Sequence, residues 1–199
     1  MKTQKNLLIA SLLFLLVCAV SFSLFLTFHE SRVDRLLWYF DDPAFWVLPA
    51  KDVSIPIFTI TYGTIIAYII LNRKEKYFAS KMAFSYGLLL MFRTLTLTVL
   101  PLKEPETIIF LEDPFLNTFI YQGTIDSDLF FSGHTALVCL VFFQTRKWKW
   151  FFAVIGLILG VLLMIQRVHY SIDILAALPF AYLTVKIVDF TIYRRLKDI

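Results

Sequence analysis

Ser132-Gly133-His134-Thr135 and His169-Tyr170-Ser171-Ile172-Asp173 hold the residue types in this chain best suited to chemistry. Two imidazoles and a carboxylate can divide a group transfer among a nucleophile, a proton carrier and an orienting acid. His169 and Asp173 stand at positions i and i+4, so on a helix they share a face and the carboxylate can approach the ring. A carboxylate that accepts one ring N–H fixes the tautomer, leaves the other nitrogen free and stabilises developing positive charge. The plainer reading is a solvated polar helix start, since such pairs are frequent at this spacing. In Ser132-Gly133-His134-Thr135 a hydroxyl falls at an N-cap position and the glycine lets a ligand approach backbone N–H groups, where a helix N-terminus favours an anion. Ordinary capping with an incidental histidine is the alternative there. Both segments lie at the mouths of apolar stretches, and anion binding beside a bilayer points to phosphate chemistry on lipids.

Further polar residues belong with these motifs. Arg93 lies inside an apolar segment, roughly 10 Å from its end, where a permanent charge requires an anionic partner. A phosphate held bidentately and an ion pair to Asp128 or Asp173 both meet that need. Arg167 lies two residues before His169 and either clamps phosphate oxygens or snorkels to the interface. Asp128, upstream of His134, is a second acid–base group or part of a solvated loop. His29 has no partner motif nearby and reads as an interfacial histidine. His134, His169 and Asp173 supply ligand types for zinc, but no Cys or further His completes the set, so neither a metal nor another cofactor is expected.

Positioning these groups falls to hydrophobic helices. The 199-residue chain is 59% hydrophobic and only 17% charged, with a mean hydropathy of +0.74, a composition foreign to soluble domains. Apolar segments near residues 7–28, 53–71, 82–100, 130–145, 148–166 and 169–189 match a hydrocarbon core of about 30 Å. They predict an all-α polytopic membrane protein, a six-transmembrane-helix bundle forming a single domain over residues 1–199. The fourth segment is the shortest. The first reads as an anchor, because its apolar run exceeds a signal-peptide core and no Ala-x-Ala cleavage site follows. Cys18 and Cys139 fall within apolar stretches and act as small buried hydrophobes. The net charge of +4 is dispersed in short clusters between apolar runs, which argues against a nucleic-acid partner.

Those clusters also give a sidedness. Lys2 and Lys5, then Arg73, Lys74, Lys76 and Lys81, then Arg146, Lys147 and Lys149, then Arg194, Arg195 and Lys197 fall on alternate connections, which the positive-inside rule assigns to the cytoplasm. The intervening loops are acidic, one with Glu30, Asp34, Asp41, Asp42 and Asp52, the other with Glu104, Glu106, Glu112, Asp113, Asp126 and Asp128. Both termini are then cytoplasmic, and His134 and His169 reach one non-cytoplasmic face.

Taken together, these residues resemble the sphingomyelin synthase branch of the type 2 phosphatidic acid phosphatase superfamily. The similar stretches are Phe92-Arg93 with Thr94, Thr96 and Thr98 leading to Leu100-Pro101, Asp128-Leu129-Phe130-Phe131-Ser132-Gly133-His134-Thr135, and His169-Tyr170-Ser171-Ile172-Asp173. The resemblance implies a six-helix core with a His, His and Asp triad. It also implies headgroup transfer in which His169 attacks phosphorus, Asp173 orients it, and His134 protonates the departing lipid oxygen. Arg93, Ser132, Gly133, Arg167 and Asp128 are the substrate-binding candidates. Two departures bear on the branch: Leu163 stands where the wider superfamily has an arginine ahead of the second histidine, and no Lys-x6-Arg-Pro motif occurs. Both favour the synthase branch over phosphatases of soluble headgroups.

The expected partners are a membrane phospholipid donor and a lipid-alcohol acceptor such as ceramide or diacylglycerol, with an oligomer left open. A lipid phosphatase or phospholipase C-type hydrolase would use the same first half-reaction with water as acceptor. A catalytically silent lipid-binding or transport protein would keep only the scaffold. The membrane implied is a bacterial inner membrane, or the Golgi or plasma membrane of a eukaryote.

Overall fold

A computed structural model of the chain describes residues 2–30, 37–111 and 130–194. Their regular structure is helical, apart from one isolated bridge between Trp38 and Leu102. The helices are α1 (Lys2–Glu30), α2 (Ala44–Val47), α3 (Ser54–Asn72), α4 (Phe78–Val99), α5 (Gly133–Gln144), α6 (Lys149–Ile165) and α7 (Ser171–Val188). A π-helical turn, Asp189–Tyr193, continues α7.

Each expected apolar segment becomes a helix, with ends displaced by a few residues. Among the described residues four helices are long and apolar enough to cross a membrane: those covering Gln4–Phe28, Ser54–Asn72, Phe78–Val99 and Ser171–Tyr193. The other two are shorter. α5 has 12 residues and α6 has 17, rising about 18 and 26 Å against a core of about 30 Å.

α5 is the central helix, packed against α3, α4, α6 and α7, with Ala136, Leu140 and Val141 wholly buried. Hydrocarbon gives helices little hydrophobic reason to associate in a bilayer, so close packing must hold them. Ala136 on α5 meets Ala177 and Ala181 on α7 in the core, a small-residue seam that lets the two backbones approach. α1 lies outside this group and packs chiefly on α4, with Phe14 seated over the bare face of Gly87.

The basic connections share one end of the bundle. Tyr68 Oη donates to the Phe78 carbonyl at 3.0 Å and to Gln144 Oε1 at 2.8 Å, and Asn72 Nδ2 donates to Thr145 Oγ1 at 3.2 Å. Lys81 pairs with Asp189 at 2.7 Å on the same end. The opposite end gathers residues 37–48, 100–111, 130–132 and 166–171, and it carries both polar motifs.

Candidate active site

The turn between α6 and α7 holds His169 just off the helix. α6 closes with a Schellman arrangement in which the Arg167 N–H donates to the Met164 carbonyl at 3.1 Å and the Val168 N–H to the Leu163 carbonyl at 3.2 Å. Val168 packs into one core cluster with Leu159 and Leu163, completing that motif. Arg167 occupies its left-handed position, φ 61°, where glycine is usual and a side chain costs about 1–2 kcal/mol. Tyr170 is the N-cap of α7 and Asp173 the third residue after it. Asp173 Oδ2 accepts the Tyr170 N–H at 2.9 Å, while the Asp173 N–H donates to the Tyr170 carbonyl at 3.1 Å.

His169 therefore precedes the helix, which corrects the expectation that it shares a helical face with Asp173. The capping turn, rather than helical periodicity, brings His169 Nδ1 to 3.5 Å from Asp173 Oδ2. Both groups are buried, His169 at 5% exposure and Asp173 at 0%, which departs from the solvated alternative. Asp173 Oδ1 has no hydrogen-bond partner among the described residues.

Main chain joins this turn to the other motif. The Ser132 N–H donates to the Asp173 carbonyl at 3.2 Å. Ser132 is the N-cap of α5, its Oγ accepting from the Thr135 N–H at 3.4 Å and lying 3.2 Å from Thr135 Oγ1. Gly133 differs from expectation: its open side is filled by the Arg93 guanidinium, and a Cβ there would lie 2.9 Å from Arg93 Cζ and closer still to Nη1. Glycine is needed here for close approach by a cation rather than by a ligand. Arg93, 7% exposed on α4, thus stands at the start of α5, with its Cζ 5.3 Å from the Phe22 ring centre. His134, the second residue of α5, meets the Phe58 ring edge-on with centres 5.8 Å apart. Thr96 Oγ1 donates to the Phe130 carbonyl at 3.2 Å and ties α4 to the segment entering α5.

Arg167 does not snorkel. At 6% exposure, it donates from Nη2 to the carbonyls of Phe45 at 2.9 Å and Leu48 at 2.6 Å, and its Cζ lies 4.2 Å from the Phe45 ring centre. Its Nε and Nη1 are buried without a hydrogen-bond partner among the described residues. Asp128 lies outside the described residues, as does the side chain of His29. No three His, Cys, Asp or Glu side chains converge as a metal cage among the described residues.

Several residues that hold this end together carry no sequence motif. Asp42, 2% exposed, accepts the Ser171 N–H at the first turn of α7 and the Ala44 N–H of α2. Tyr170 is packed between Phe40 and Phe45 and donates from Oη to the Lys103 carbonyl at 2.9 Å. Residues 40–48 therefore form a strap fastened to 167–171 at several points. Gln166 is wholly buried at the end of α6, its Nε2 within 3.2 Å of Asp52 Oδ1, Ser54 Oγ and the Ile109 and Phe110 carbonyls. Asp52 also accepts the Ser54 N–H at 3.0 Å and its hydroxyl at 2.8 Å. These bonds, the Ser54 N–H first, hold the Asp52 carboxyl below its ordinary range.

A buried imidazole–carboxylate pair, a second histidine and an arginine at a helix N-terminus suit attack on an anionic centre whose charge rises during reaction. Residues 127–190 match the family described as PAP2 superfamily C-terminal, a span that takes in α5, α6 and α7 with His134, His169 and Asp173. Over that third of its length the chain is similar to the type 2 phosphatidic acid phosphatase superfamily. No curated protein matches this chain.

Proposed function

We propose that this protein is a membrane lipid phosphotransferase that moves a phospho-headgroup from a glycerophospholipid to a lipid alcohol such as ceramide or diacylglycerol. One observation carries the reading: His169 Nδ1 stands 3.5 Å from a fully buried Asp173 carboxylate. Such a carboxylate favours the tautomer protonated at Nδ1 and leaves Nε2 as the nucleophile.

His169 Nε2 attacks phosphorus, an N–P bond forms, and the P–O bond to the departing diacylglycerol breaks as His134 delivers a proton to that oxygen. In the second half, His134 takes the proton from the acceptor hydroxyl, whose oxygen forms a new P–O bond as the N–P bond breaks. Asp173 stabilises the positive ring throughout. Arg93 and the first turn of α5 offset negative charge on the phosphoryl oxygens. Arg167, with two donors unspent among the described residues, is a second candidate for those oxygens. The basic connections lie at the opposite end of the bundle, which supports a site on the non-cytoplasmic face and cytoplasmic termini.

The test is purified protein in mixed micelles with a headgroup-labelled phospholipid, with and without ceramide, beside His169→Ala. Label carried to ceramide only by the wild type supports the transferase. Label released to water from the same micelles would replace it with a hydrolase.

A further inference from the structure

A cavity of about 390 Å³ opens between α1, α3, α4 and α5 on the basic side of the motifs. No charged side chain lines it; its walls are aliphatic and aromatic. Three helical faces connect it to the polar groups. On α5, His134, Leu137 and Val141 recur at the three- and four-residue steps that stack side chains on one face. On α3 the face runs from Phe58, which touches His134, through Tyr62, stacked on Phe58, to Ile65 and Ile69. On α4 it runs from Arg93 to Tyr86 and Met82. Leu137, Val141, Ile65, Ile69, Tyr86 and Met82 all line the cavity.

At the helical rise, Ile65 and Tyr86 stand about 10 Å from Phe58 and Arg93, and Ile69 about 16 Å from Phe58. Cation and imidazole occupy one end of this path and an uncharged hollow the other, the profile of an amphiphile with an anionic head. We infer that the cavity receives the far part of a hydrocarbon tail of the lipid whose phosphate reacts at His134 and His169, so that the enzyme measures chain length. The inference rests on the lipid-phosphate reading above and adds where the tail goes. Because the tail leaves hydrocarbon rather than water, methylenes that reach the cavity raise kcat/KM through packing against its walls, whereas methylenes nearer the head should add little.

The test compares dihexanoyl with dipalmitoyl phospholipid of one headgroup, in wild type and in Ala83→Phe, which places a ring in the cavity. The readout is the ratio of kcat/KM for long over short chains, which does not depend on the fraction of protein folded. The ratio should favour the long chain in wild type and fall at least tenfold in Ala83→Phe. An unchanged ratio overturns the inference. Ile69→Trp, on the opposite wall, must produce the same fall, and it decides the matter if Ala83→Phe yields no active protein. A wild type that converts neither lipid, yet binds the long-chain one more tightly and loses that margin in Ala83→Phe, upholds the tail site and sinks the phosphotransfer reading. Equal binding of both lengths overturns the tail site.

Discussion

The Ser132 N–H is hydrogen-bonded to the Asp173 carbonyl at 3.2 Å, so the helix start that carries His134 is registered against the one that carries Asp173. His169 is held from its own side by the cap at Tyr170 and by the strap from residues 40–48. A substitution that leaves these backbone bonds intact should alter chemistry without dismantling the site.

Asp173→Asn keeps the shape of the carboxylate but removes its charge. It should fold, lower kcat by about 10⁴-fold as an orienting aspartate does in comparable triads, and leave binding of intact phospholipid nearly unchanged. His169→Ala should abolish turnover and, in a rapid-quench experiment with labelled donor, yield no acid-labile phosphoprotein. Full activity in either variant would remove this pair from the mechanism.

Gly133→Ala drives a methyl into the Arg93 guanidinium. It should depress kcat/KM to a similar degree as Arg93→Lys, roughly ten- to a hundredfold for the loss of a charge-assisted bond. Combined, the two changes should cost much less than the sum of their separate effects, because each displaces the same cation. Strict additivity in that double-mutant cycle would mean that Gly133→Ala does not act through Arg93, and unchanged kcat and KM in Arg93→Lys would assign Arg93 to structure.

Asp42→Ala strips the acceptor from the Ser171 N–H. The expected loss is about 1–3 kcal/mol for a buried donor left unsatisfied, read as a lowered Tm in detergent. Asp42→Asn, which keeps one acceptor oxygen for the Ser171 and Ala44 N–H groups that use two in wild type, should recover only part of it. Equal loss in both would mean that charge, rather than the hydrogen bond, matters at this position.

Asp52 supplies a pH dependence. Its carboxyl is held below the usual range in the folded chain, so its contribution to stability is complete above the unfolded value near 3.9. It is lost as pH falls from there through the lower folded value, because the unfolded chain binds the proton first. Thermal scans from neutral pH downward should show this acid-side fall in wild type and a smaller one in Asp52→Asn. Identical profiles would contradict it.

Much of the architecture was legible in hydropathy, because a bilayer demands long apolar helices wherever the chain crosses it. Ser132 as a cap and the adjacency of His169 to Asp173 were legible too, since both are local. The reason for that adjacency was not: periodicity assumed a continuous helix, whereas the chain reverses at Arg167 and caps at Tyr170. Gly133 misled for a related cause. Its need for an open face is visible in sequence, but the occupant, Arg93, arrives from another helix. Asp42 and Gln166 announce nothing locally, since they act on Ser171, Asp52 and Ser54 across more than a hundred residues of chain. The apolar cavity is likewise formed by residues of four helices distant in sequence.

Arg167 has an evolutionary consequence. Glycine at that position would relax the left-handed backbone, yet it would also release the Phe45 and Leu48 carbonyls that fasten the strap. Selection for an easier turn and selection for a firmly held His169 therefore pull this one codon in opposite directions, a local trade-off between stability and the geometry of the site.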